Sequence, residues 1–196
     1  MAERDVFILS ERALAGVIDS IQDDQWDLRK PDWFQTGGQG DASLREIVNY
    51  HAYDSAWVPD VLAGKKMAEV GSTYEHLKTD PNTEYRPYSN KAIGAAKALD
   101  DPDKIVHLSY GDFPAREYLK HITSFRGFRA FDIAKWIGAS TVLPDDLVQG
   151  MWEQIAPEVE AWRKMGVYGP PVSVSADAPL QDRLLGLVGR DPRAPA

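Results

Sequence analysis

PAREYLKHITSFRGFRAFDIAKWIG, residues 114–138, is the stretch whose reading decides the fold. Wound at about 100° per residue, it sets Tyr118, Ile122, Phe125, Arg129, Asp132, Ile133 and Trp136 on one face. Pro114 suits a first helical turn, where its missing N–H would be orphaned anyway. Glu117 favours the N-terminal end, and Gly138 supplies a stop. The spacing therefore predicts a long, well-bounded helix that turns an apolar face inward. Two charges interrupt that face, Arg129 and Asp132, three residues apart. Each needs the other or a ligand, because an unpaired buried charge costs several kcal/mol.

Outward from this helix the same pattern recurs. Residues 4–21 place Val6, Leu9, Ala13, Leu14, Val17, Ile18 and Ile21 at helical spacing. Residues 22–40 carry Pro31, Gly37, Gly38 and Gly40 and read as a long loop, with Trp26, Trp33 and Phe34 either plugging the end of a helical bundle or lining a ligand. Ser43 followed by Glu46 is a capping signature that opens a second helix. Its face bears Leu44, Ile47, Val48, His51, Ser55, Val58 and Leu62, and Gly64 ends it. His51 sits at the centre of that face with Asp54 to its side, either as a satisfied core histidine or as a ligand.

Residues 65–88 read as a connection with a short helical turn over 73–77. Residues 90–99 form a third helix, and residues 104–110 an ordered connection, since one short strand makes no sheet alone. Residues 144–165 form a last long helix kinked at Pro157, and residues 177–188 a short final one. Four long helices with one long crossover make an all-α, four-helix bundle, with a short C-terminal helix.

Composition narrows the function. The chain has 196 residues, 43% of them hydrophobic, which suffices for the core of one domain spanning 1–196. A net charge of −8 without a basic stripe argues against nucleic acid as a partner. Zero cysteines exclude disulfides, thiolate metal ligands and a cysteine nucleophile, and point to the cytoplasm. No apolar run reaches membrane-spanning length, and the charged N-terminus does not read as a signal peptide. Hydrolase, kinase and dehydrogenase motifs are absent.

Four segments, LREIVNYHAYDSAWVPDVLAG around His51, HLSYGDFPAREYL from His107, AFDIAKWIG from Ala130 and APLQDRLLGLVGRDP from Ala178, appear in an order that resembles the DinB-like superfamily. Within it they are most similar to the mycothiol-dependent maleylpyruvate isomerase-like proteins of actinobacteria. The resemblance implies a bundle holding a divalent metal through one histidine of the second helix and two ligands four residues apart on the later long helix. It also implies a low-molecular-weight thiol such as mycothiol, serving isomerisation or thiol transfer. His51 matches the first ligand, whereas the other two positions fall on Phe125 and Arg129, neither of which can coordinate a cation. His121, one turn before Phe125, is the remaining candidate ligand beside His51, with Asp54 or Asp132 to complete a set.

Two expectations follow. In one, Arg129 replaces the metal's charge in holding an anionic or enolate-like group, His51 supplies acid or base, Asp132 completes the catalytic set, and Asp54, Tyr118, His121, Phe125 and Trp136 contact the substrate. In the other, Arg129 and Asp132 are a structural ion pair in a degenerate metal site. The function expected is a small-molecule enzyme with no resident cofactor, or else a binding protein for a small anionic or aromatic ligand. The sequence also allows a homodimer.

Overall fold

The computed structural model describes residues 1–34 and 40–193, so Gly37 and Gly38 of the expected loop lie outside the described residues. Its elements are α1 (Glu3–Ile18), α2 (Leu44–Ala63), α3 (Met67–Val70), a 3-10 turn (Glu75–Lys78), α4 (Tyr85–Lys97), β1 (Ile105–Leu108), β2 (Gly111–Pro114), α5 (Ala115–Trp136), α6 (Asp145–Ile155), α7 (Val159–Lys164) and α8 (Leu180–Leu187). The protein is mostly helical, and no helix among the described residues is long and apolar enough to cross a membrane.

The start of α2 shows how local chemistry fixes an element. The Ser43 hydroxyl accepts from the Glu46 N–H while the Glu46 carboxylate accepts from the Ser43 N–H, a reciprocal capping box. The next two orphan donors, the Leu44 and Arg45 N–H groups, reach the carbonyls of Leu28 and Trp26, which ties the preceding loop to the helix. Gly64 closes the helix at φ 85°, a left-handed position that favours glycine. Of the loop aromatics, Phe34 is buried edge-on against Trp136 at 4.9 Å, and Lys135 lies over the Trp33 ring at 4.5 Å.

Helix α5 packs on α1, α1 on α4, and α4 on α2, whereas the backbones of α2 and α5 stay apart. The ring of four helices is thus open along the α2/α5 seam, which side chains bridge. One apolar cluster, with Leu14, Leu44, Ile47, Phe131, Ile133, Leu147, Met151 and Leu184, binds one end of the bundle to α6 and α8. A second, with Phe7, Val58, Leu62, Ala92, Ala96, Val106 and Leu119, fills the other end.

Three expectations need correcting. The 104–110 segment is not an isolated connection: β1 pairs antiparallel with β2, from Ile105 opposite Pro114 to Leu108 opposite Gly111. The third helix starts at Tyr85, five residues before Asn90, because Pro87 falls in its first turn, where proline is tolerated. The last long helix is two helices, α6 and α7, with Pro157 in the gap between them.

Candidate functional site

Between the two apolar clusters lies a polar belt to which each of the four bundle helices contributes one residue. Glu11 of α1 accepts from Tyr85 of α4 at 2.6 Å, from Ser55 of α2 at 3.0 Å and from the Nε of Arg126 of α5 at 2.5 Å. The Nη2 of Arg126 also donates to the Ser55 hydroxyl at 3.2 Å. Glu11 and Arg126 are both 0% exposed, so this is a fully desolvated ion pair that holds up only because its hydrogen bonds are made together.

Above this belt the open seam widens into a cleft of about 360 Å³. Helix α2 lines it with Tyr50, Tyr53, Asp54 and Trp57, which share a face at i, i+3, i+4 and i+7 spacing. Helix α5 lines it with Tyr118, His121, Phe125 and Arg126, and the hairpin closes one end through His107 and Tyr110. The cleft is therefore walled by aromatic rings over a floor that carries Asp54, with the neutralised Arg126–Glu11 pair beneath. The Asp54 carboxylate makes no hydrogen bond or ion pair among the described residues. Burial pushes its carboxyl up to about 6, against the opposing pull of Arg126 and Lys78. Burial likewise holds the Tyr118 hydroxyl well above its ordinary value, so it stays protonated and neutral. His107 is held by Asp112 across the hairpin at 2.8 Å, and burial lowers the His121 imidazole.

A second cavity, of about 440 Å³, lies on the other side of His121 and Phe125, which line both. Arg129 and Arg190 reach it, with the paired hydroxyls of Ser124 and Tyr168 at 2.9 Å. Asp132 is gripped from the C-terminal tail: Arg190 donates to both of its oxygens, at 3.0 and 2.9 Å, whereas Arg129 comes no closer than 3.7 Å. The arginine that pairs best with Asp132 is thus 58 residues away rather than three. Arg129 itself stacks on Phe34 at 4.3 Å, and burial together with Arg190 pushes its guanidinium down to about 10.

The expected residues therefore separate. Asp54, Tyr118, His121 and Phe125 share the α2/α5 cleft; Arg129 lines the second cavity, which also takes in His121 and Phe125. Asp132 lies between Arg129 and Arg190, and Trp136 packs on Phe34 away from both cavities. His51 is 2% exposed and lines neither cavity; the Phe125 ring covers it at 5.0 Å. Burial, Arg129 and Arg126 hold its imidazole well below the ordinary value, so it is neutral at pH 7.

A divalent metal does not fit at His51. Phe125 offers no donor, and the two guanidiniums that depress the imidazole would also repel a cation. Among the described residues His51, His121, Asp54 and Asp132 do not converge as a ligand set. Sequence reasoning missed Glu11 and Arg126, although one signal was present: Glu11 stands i+4 from Phe7 and i−3 from Leu14, inside the buried stripe of α1. Compared with family models, with curated proteins and with solved structures, the chain matches none of them.

Proposed function

We propose that this protein is a cytoplasmic small-molecule enzyme of the DinB-like, thiol-transferase or isomerase type, working by acid/base chemistry in the α2/α5 cleft rather than through a metal at His51. One observation carries the reading: Asp54, a carboxyl with no hydrogen-bond or ion-pair partner among the described residues, on the floor of an aromatic-walled cleft, with its pKa raised to about 6. A carboxyl tuned close to working pH can both give and take a proton, which a carboxylate at its ordinary value does poorly. The cleft has the size and the largely apolar lining of a small-molecule site. Asp54 would hold and return the proton, Tyr118 would donate a hydrogen bond as a neutral hydroxyl, and the rings of Trp57 and Phe125 would exclude water. The thiol that the resemblance implies has no part in these steps.

Proton abstraction leaves an isotopic mark whatever the product is. A panel of small carbonyl compounds, amines and thiol adducts incubated in D2O with the protein should include a member that gains deuterium at carbon, read by mass spectrometry. The rate should follow a group titrating near 6 and fall at least 100-fold in Asp54→Asn. A ligand that binds the cleft without any such exchange would favour the alternative, a non-catalytic binding protein for a small aromatic ligand, which the aromatic walls also suit.

A further inference from the structure

The cleft's lining also selects the charge of what enters it. Resting on the reading of the cleft as the ligand site, we infer that it takes a small organic cation, an ammonium group on an apolar body, with the cation against Asp54. The floor carboxylate has no partner of its own among the described residues, and the charge of Arg126 beside it is matched by Glu11 at 2.5 Å. The net charge at the floor is therefore negative once Asp54 ionises. Aromatic side chains line the cleft around it, Tyr50, Tyr53, Trp57, Tyr118 and Phe125, and the face of such a ring attracts cations and disfavours anions.

The same rings already hold an ammonium of the protein's own. Lys78, from the 3-10 turn, places its Nζ 4.1 Å from the Tyr53 ring centre and 5.8 Å from that of Tyr50, while Glu75 pairs with it at 2.9 Å. This α2 face thus accepts an ammonium at its rim, and the Asp54 carboxylate sits one residue further along the chain. A ligand cation would meet at Asp54 what Lys78 meets at Tyr53 and Glu75: a ring face together with a carboxylate. A neutral isostere would fill the same volume without either attraction, and a carboxylate ligand would be repelled by both.

The groups that face Asp54 set the pH dependence. They are Arg126 and Tyr118 on α5, Glu11 on α1 and Lys78 on the 3-10 turn, with His121 of α5 and His107 of β1 lining the same cleft. Arg126 and Lys78 stay charged and Tyr118 stays neutral between pH 5 and 8, and the Asp54→Asn variant separates the ionisation of Asp54 from any contribution of the two cleft histidines.

Calorimetric titration of the full chain with choline, with its uncharged isostere 3,3-dimethylbutan-1-ol and with phenylacetate tests this. At pH 8 choline should bind at least tenfold more tightly than the isostere, phenylacetate should not compete with it, and choline affinity should fall at least fivefold at pH 5. Choline binding near pH 6 should also release protons, visible as a heat that depends on buffer ionisation enthalpy. Asp54→Asn should cut the preference for choline at least fivefold and remove its fall between pH 8 and pH 5, and Trp57→Leu should weaken choline in a chain whose far-ultraviolet circular dichroism matches the parent's. Equal affinity for choline and isostere in the parent would overturn the cation inference and leave the cleft reading standing. Binding of none of the three would overturn both.

Discussion

Asp54 carries a stability signature whose sign differs from that of most carboxylates. Its pKa is about 6 in the fold against about 3.9 in an unfolded chain, so between those values the folded protein binds a proton that the unfolded chain has lost. Stability therefore falls as pH rises through that window and stays lower above it. Asp54→Asn removes the penalty, and should make the protein more stable at pH 7 by about 1–2 kcal/mol, read by urea unfolding. His51 works in the opposite direction: neutral in the fold, it loses stability as pH drops below about 6.5, where the unfolded imidazole takes a proton. Asp54 offsets part of the acid loss that His51 and the paired carboxylates, Glu46, Asp60 and Glu158 among them, contribute, so Asp54→Asn should lose stability more steeply than the parent between pH 6 and 4. Glu11 and Arg126 supply a different prediction. Glu11→Ala strands a buried guanidinium and should cost about 3–5 kcal/mol, whereas Glu11→Leu combined with Arg126→Leu should recover much of that loss, since the desolvation of both ions goes with them.

At the scale of elements, helix faces decide what is legible. The capping box at Ser43, the glycine stops at positions 64 and 138 and the long α5 can all be read from the chain, because each rests on contacts within a few residues. The burial of Arg129 and Asp132 is legible too, yet the partner that grips Asp132 is not: Arg190 comes from the tail, and no local pattern encodes that distance. The hairpin is half legible for a similar reason. The alternation over 105–110 shows, but its partner strand is four residues long and ends in a proline. Close helix crossings show the same limit. A Cβ at Gly150 on α6 would stand 2.6 and 2.9 Å from the short, branched Val6 side chain of α1, whereas one at Gly127 on α5 would meet only the flexible end of Met151. Gly150→Ala should therefore cost about 2 kcal/mol and clearly more than Gly127→Ala, measured by thermal unfolding.

For the whole molecule, the cleft is a consequence of topology. Three of the four helix neighbours pack closely, the fourth pair is left apart, and the hydrogen bond from Arg126 of α5 to the Ser55 hydroxyl of α2 crosses the gap beneath the cleft floor. The C-terminal segment then locks the far side of α5 through the two-pronged bond from Arg190 to Asp132. Arg190→Gln should loosen that segment without unfolding the bundle, seen as faster trypsin cleavage in the tail with unchanged helical signal. The account of function rests on one group in this frame, and the most direct measurement is the titration of the Asp54 carboxyl by carbon-13 NMR in the free, intact protein, assigned by comparison with Asp54→Asn. A midpoint near 6 is the predicted result. A midpoint near 4, the ordinary aspartate range, would mean that solvent or a partner stabilises the ionised form, and would contradict the acid/base role given to the cleft.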